Sequence, residues 1–155
     1  DTRSVSSDGG QGNQGGQQPV APEPGLGAEV EASDNVRFTI TKVDCGKTTL
    51  GDNQFTRQTA QGKWCLVNAT VHNSGNRSQT VSDNDFKLID SANNQHSASS
   101  SALLSLGDQS LLIKSINPGN KVSGTIPFDI PKEATATHVE IQNSLFGGVK
   151  RIRVE

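Results

Sequence analysis

The chain of 155 residues has no tyrosine, no methionine, one tryptophan and only two cysteines. No apolar run approaches the roughly 18 residues a membrane helix needs, so no transmembrane helix is expected within it. No charged-then-apolar segment opens the chain, so any targeting signal is expected to have been removed or to lie outside it. Excess positive charge is also missing. The formal net charge is −2, which argues against nucleic acid as an electrostatic partner. Catalytic and metal motifs are absent too: the sequence has neither H-E-x-x-H nor G-x-S-x-G. Three histidines, His72, His96 and His138, remain. The first and last sit at polar-facing or edge positions of alternating runs, and His96 lies in a Ser/Asn-rich loop. Serine and aspartate are plentiful enough to supply chance partners, so a catalytic triad is set aside. No cofactor and no resident metal are expected.

What is present is unevenly distributed. Residues 1–34 concentrate Gly, Gln and Pro and hold one Arg against six carboxylates, a net charge of −5. The first aromatic residue is Phe38. Such a stretch offers too little apolar surface to offset the entropy of ordering it, so it reads as a disordered acidic linker. Gly10-Gln-Gly-Asn-Gln-Gly15 within it matches G-x-G-x-x-G, but without the strand before and helix after that a nucleotide site requires. Residues 35–155 carry 13 Lys and Arg against 10 Asp and Glu, a net +3, and read as one weakly basic folded domain.

That domain reads as strands. Val36, Phe38 and Ile40 alternate with polar residues. So do Cys65, Val67, Ala69 and Val71, and then Val122, Gly124, Ile126, Phe128 and Ile130. Shorter runs follow at Phe86-Lys-Leu-Ile-Asp90, His138-Val-Glu-Ile-Gln142 and Lys150-Arg-Ile-Arg-Val154. Period-two alternation marks half-buried antiparallel strands. Asn73-Ser-Gly-Asn76, Asn117-Pro-Gly-Asn120 and Phe146-Gly-Gly148 supply turns. One-sided strands spaced by turns imply an all-β sandwich or barrel. The expected core includes Phe38, Ile40, Val67, Val71, Leu88, Ile126, Phe128, Val139, Ile141 and Ile152. Pro127 interrupts a run and cannot donate to a ladder, which predicts an edge strand or a bulge there. Ser101-Ala-Leu-Leu-Ser-Leu106, ended by Gly107, predicts one short helix in a connection.

Cys45 and Cys65 are 20 positions apart, too few thiols for a zinc site and lacking C-x-x-C. Two buried free thiols are the alternative to a disulfide. The disulfide is preferred, because it would close a long polar loop that is otherwise poorly anchored, and it implies an oxidising, extracytoplasmic location. Ser82-Asp-Asn-Asp85 suggests calcium only superficially. It lacks the further oxygen ligands, the glycine and the terminal Glu of a calcium loop, and it reads as a turn. The sequons at Asn68 and Asn76 are not expected to be modified.

Gly62-Lys-Trp-Cys-Leu-Val-Asn-Ala-Thr-Val-His-Asn-Ser-Gly75, with Cys45-Gly46 before it, resembles a bacterial family of domains of unknown function. Ile116-Asn-Pro-Gly-Asn-Lys-Val-Ser-Gly124, Phe128-Asp-Ile-Pro131, Phe86-Lys-Leu-Ile-Asp90 and Phe146-Gly-Gly-Val149 fit the same pattern. The family occurs on secreted and lipid-anchored proteins, mostly of actinobacteria. The resemblance implies an immunoglobulin-type, telokin-like β-sandwich, similar to the mycobacterial immunoprotective extracellular antigens, and carries over no catalytic residues. Pro127 departs from the family's apolar residue. Trp64 adjoins Cys65 but faces away from it, unlike the Cys–Trp–Cys arrangement of antibody domains.

The function expected from all this is a non-catalytic, extracytoplasmic, membrane-tethered surface module that recognises a protein or an envelope polymer. Any membrane contact would be made through an N-terminal anchor outside this chain. The alternatives are a small-ligand or cation-binding protein and an inhibitor of secreted hydrolases. The candidate binding residues are Lys150, Arg151 and Arg153, a basic strand that reads otherwise as a solvated, pairing-resistant edge. Some leucines of the 91–115 connection are a further candidate surface. Partner identity and oligomeric state are left open.

Overall fold

A computed structural model of the protein describes residues 23–33, 35–111, 113–142 and 148–155. The strands are β1 (Glu29–Ser33), β2 (Val36–Leu50), β3 (Gln58–Asn73), β4 (Gln79–Ser82), β5 (Phe86–Asp90) and β6 (Gln95–Ser97). After helix α1 (Ser100–Leu106) come β7 (Ile113–Ile116), β8 (Lys121–Ile130), β9 (Ala136–Ile141) and β10 (Lys150–Arg153). Two four-stranded sheets, ordered β1-β2-β3-β8 and β10-β9-β5-β6, are joined by a two-stranded β4-β7 ribbon, and every strand pairing is antiparallel. This is the all-β, immunoglobulin-like sandwich expected from the alternation.

The core lies between the sheets. All ten residues named above as core are buried, and they belong to one cluster drawn from both sheets. Phe38 of β2 meets Phe86 of β5 edge to face, with ring centroids 5.6 Å apart. Aromatic pairs favour that geometry, and it fixes how one sheet sits on the other. Each large side chain removed from water contributes on the order of 2–3 kcal/mol.

Pro127 sits on β8, the edge of its sheet, in unbroken register with β3 through Leu66. Its carbonyl points outward and accepts the Ser99 N–H at 2.9 Å. The missing proline donor is therefore on the side that has no neighbouring strand. The same edge is closed further along, where the Leu111 N–H donates to the Thr125 carbonyl at 3.1 Å. Gly124 permits that approach: a Cβ there would stand 2.8 Å from the Cβ of Leu111. The short helix forms where expected and stops at Gly107, whose φ is +57°.

Two expectations need correction. Residues 23–33 belong to the domain, not to a linker. Val30 packs on the core and Ala32 is buried, while Glu29 lies opposite Thr39 and Glu31 opposite Arg37. The Glu-Val-Glu-Ala alternation is a strand signal two apolar residues long, and the surrounding Gly and Pro outweighed it. Counted from residue 23, the chain carries 13 Lys and Arg against 14 Asp and Glu, so the domain is not basic. The second correction concerns residues 46–64. They are not a long polar loop, because β2 and β3 continue through them as a hairpin and leave only residues 51–57 between the strands. The polar, Thr-rich composition is what a two-stranded arm outside the sandwich requires. The expectations for residues 1–22, Phe146 and Leu112, and for the side chain of Ile113, fall outside what is described.

Candidate functional site

The β2–β3 arm is the most distinctive surface. Beyond Cys45, β2 is exposed until Leu50, and β3 before Gly62 pairs with β2 alone. Register shifts between Ile40 and Lys42, Cys45 and Lys47, and Lys47 and Thr49 turn the arm away from the flat sheet. The Cys45–Cys65 disulfide joins directly opposed residues at its root. The arm has its own small core, in which Leu50, Trp64 and Ala102 are buried and Ala60, Leu66 and Leu106 pack on them. Trp64 faces this cluster and Cys65 faces the main one, so the tryptophan does not pack on the disulfide from within the sandwich. The indole Nε1–H donates to the Gln58 carbonyl at 3.2 Å.

The tip is locally fixed. Asn53 Oδ1 accepts the N–H groups of Phe55 (2.9 Å) and Thr56 (3.2 Å), an Asx-type turn. Gly51 has φ +101°, and a Cβ there would fall 2.4 Å from the Thr56 carbonyl oxygen. That carbonyl also accepts the Ser105 hydroxyl of α1. On this framework Phe55 is 88% exposed and Leu104 of α1 is 75% exposed. The two residues flank the Thr56–Ser105 contact in sequence. An exposed aromatic ring and an exposed leucine thus stand on segments joined by that contact, as apolar surface that no described residue covers. Of the other leucines in the connection, Leu103 and Leu111 are buried and Leu106 supports the arm.

The basic strand is not a bare cationic patch. Lys150 and Arg153 are exposed, but Arg151 Nε lies 3.2 Å from Glu140 Oε2 on the neighbouring strand. Glu23 sits among the same groups, with Oε1 2.9 Å from His138 Nε2. That hydrogen bond, with the charges of His138, Arg151 and Arg153, holds the Glu23 carboxyl below its usual pKa. The linker assignment concealed this carboxylate.

Each histidine lies near a carboxylate. His96 Nε2 lies 2.9 Å from Asp90 Oδ2. Asp90 also accepts the N–H groups of Ala92 and Asn94 and the side-chain amide of Asn94. These bonds, led by the one to His96, lower its pKa from 3.8 to about 2. The carboxylate thus serves the β5–β6 turn. His138 Nδ1 lies 3.0 Å from the Thr137 hydroxyl, but that hydroxyl is buried and donates to the Ile89 carbonyl. His72 stands 4.0 Å from Glu29. Among the described residues, no group of three or more His, Cys, Asp and Glu side chains is placed to hold a metal ion. Ser82-Asp-Asn-Asp85 forms a capped 3-10 turn in which Asp85 accepts the Ser82 N–H at 3.0 Å.

Fold and surface together define a class: an immunoglobulin-like sandwich with a disulfide at the root of a projecting hairpin. Residues 25–151 match the family described as domain of unknown function DUF4352, and the chain belongs to that family. No curated protein matches it at a significant level. Among solved structures it is similar to the yjhA protein of Bacillus subtilis, with a TM-score of 0.65, 16% identity, and coverage of 85% of this chain and 99% of that one. It is similar to the secreted protein MPT63 of Mycobacterium tuberculosis, with a TM-score of 0.58, 15% identity, and coverage of 88% and 99%. It also resembles ycdA of Bacillus subtilis, a candidate lipoprotein, with a TM-score of 0.57, 20% identity, and coverage of 81% of this chain but 38% of that one. Likeness at these identities establishes a shared fold.

Proposed function

We propose that this chain is an extracytoplasmic, non-catalytic module that recognises a protein partner through the end of the β2–β3 arm. The observation that carries this reading is Phe55, almost fully exposed at the tip of an arm braced by a disulfide, an Asx turn and its own buried cluster. A preorganised aromatic knob loses little conformational freedom on docking, which is the character of binding hot spots. The disulfide supports an oxidising compartment, and two structural relatives are described as secreted and as a candidate lipoprotein. The polar stretch before Glu23 then serves as a tether.

The same convex, fixed arm favours a second reading, presentation to the active-site cleft of a secreted hydrolase as an inhibitor. One experiment separates the two. A photo-crosslinking residue in place of Gln54 is used on the full chain against envelope extracts, alongside inhibition assays on a panel of secreted proteases and glycosidases. Capture lost in Phe55→Asp and retained in Arg151→Ala/Arg153→Ala supports arm recognition. Equal capture from a crosslinker at Lys132 instead of Gln54 overturns it. Inhibition lost in Phe55→Asp identifies the partner as a hydrolase.

A further inference from the structure

We infer that the outer face of the β1-β2-β3-β8 sheet carries a binding groove for a neutral, polyhydroxylated chain, the chemistry of an uncharged glycan. This inference does not rest on the arm reading. The groove has a volume of about 330 Å³ and is lined by Thr41, Asn68, Thr70, Gln109, Ser123 and Thr125. Strand register builds it: Asn68 lies opposite Thr125 and Thr70 opposite Ser123 across the β3–β8 pair. Gln109 enters from the connection that closes the β8 edge, on the 3-10 turn Gly107–Gln109.

The hydrogen bonds inside the groove leave a defined remainder. Thr125 Oγ1 donates to Asn68 Oδ1 at 2.7 Å, and Thr41 Oγ1 donates to the Asn68 carbonyl at 3.2 Å. The first bond orients the Asn68 amide and leaves its Nδ2 hydrogens for a ligand. The Thr70 and Ser123 hydroxyls share one bond at 2.8 Å, so one of their two hydrogens stays available. Gln109 adds a second amide, able to donate and accept at once, as vicinal hydroxyls require.

The class of ligand follows from what the lining offers. None of the six side chains is ionised, and the nearest charges, Lys42 opposite Asn68 and Lys47 with Asp52 in the adjoining cleft, are of both signs at its margin, so the lining itself recognises hydroxyls and the charged control below tests that assignment. The groove runs over β3, which is hydrogen-bonded on both sides to β2 and β8, so an extended peptide cannot add to the sheet there. A wholly apolar ligand would strand the two amides. A sugar presents O–H and C–H groups side by side, and threonine answers with a hydroxyl and a methyl on one carbon. The adjoining cleft of about 290 Å³ shares Gln109 and continues toward Lys47 and Ser105, which suits a linear polymer rather than a single ring. Without an aromatic platform, affinity is expected to be weak, with Kd on the order of 1 mM.

The test is an amide-resolved NMR titration of the full chain with maltohexaose, cellohexaose and hexa-N-acetylchitohexaose to about 10 mM, and with hexagalacturonate as the charged control. The expected result is that at least one neutral hexaose shifts Asn68, Thr70, Gln109, Ser123 and Thr125, including the two side-chain amides, and that hexagalacturonate does not. Gln109→Ala and Ser123→Ala, each with an unchanged thermal midpoint, are expected to weaken that titration about tenfold. Absence of shifts with all three neutral hexaoses, shifts centred elsewhere, equal response to the charged control, or a titration unaffected by both variants would each overturn the assignment. If either variant fails to fold, the wild-type shift map alone decides.

Discussion

Asn73 provides the sharpest test of how the ends of the sandwich are tied. It is the last residue of β3 and fully buried. Its Nδ2 donates to the Arg77 carbonyl at 2.7 Å and to the Ile116 carbonyl at 2.8 Å, while Oδ1 accepts the Gly75 N–H at 3.0 Å. One side chain thus fastens its own turn to β7. Asn73→Ala leaves the main-chain bonds to Asn120 and Gly119 in place and removes those three. Losing the buried bond to the Ile116 carbonyl costs about 1–3 kcal/mol, and the two half-buried bonds add about 0.5–1.5 kcal/mol each. The expected loss is about 2–6 kcal/mol. Trp64, the single tryptophan and 2% exposed, reports unfolding by fluorescence. In urea, with a slope of about 2 kcal/mol/M, the midpoint should fall by about 1–3 M. Asn76→Ala, exposed in the same turn, should stay within about 0.5 kcal/mol. Asn73→Asp should be worse than Ala at neutral pH, since a carboxylate would face two carbonyl oxygens, and should recover as acid restores a donor. A loss below about 1 kcal/mol for Asn73→Ala would refute the reasoning, because it would mean that water replaces the amide without penalty.

Two further outcomes are expected. Reducing the Cys45–Cys65 disulfide should lower stability by about 2–5 kcal/mol; alkylation of two thiols in the unreduced, denatured protein, read by intact mass, would contradict the bond itself. Acid should destabilise the fold in a definite window. Asp90 has a folded pKa of about 2 against 3.8 for the free group, so its contribution is complete above about pH 4 and is lost as pH falls toward 2. In urea midpoints measured across that window, Asp90→Asn should flatten the acid limb. An unchanged slope would show that the turn does not depend on the carboxylate's charge.

The sandwich was legible because its long strands obey one rule. Val36 to Ile40, Cys65 to Val71 and Ile126 to Ile130 alternate over a buried face, and even Pro127 declared its edge by lacking a donor. Where the rule weakens, so did the reading. β1 offers only Val30 and Ala32 to the core, and a Gly/Pro-rich context masked so short a signal. The arm is amphipathic about a second cluster whose partners, Leu50, Trp64 and Ala102, are up to 52 positions apart in the chain. No window along the sequence brings those together. Phe55 gave no signal, because one phenylalanine in a polar loop reads the same whether it is folded inward or held out. Its exposure depends on Gly51, Asn53 and Ser105 acting jointly.

The correction at the N-terminus also bears on which surface is functional. The basic strand looked attractive because four acids, Glu23, Glu29, Glu31 and Asp34, had been assigned elsewhere. Two of the described ones return to the sheet as charge partners: Glu23 beside His138, Arg151 and Arg153, and Glu29 at 3.4 Å from Arg37. Exposed pairs of this kind contribute little stability, about 0–1 kcal/mol, but they cancel field. A cationic surface meant for an anionic polymer would gain by leaving its arginines unpaired, and steering weakens with every carboxylate placed among them. By contrast, nothing among the described residues covers Phe55 or Leu104, although leaving them in water costs solubility without adding to the fold. The apolar surface at the arm tip is therefore a feature that folding alone does not explain, and it is the surface that the proposed recognition role would use.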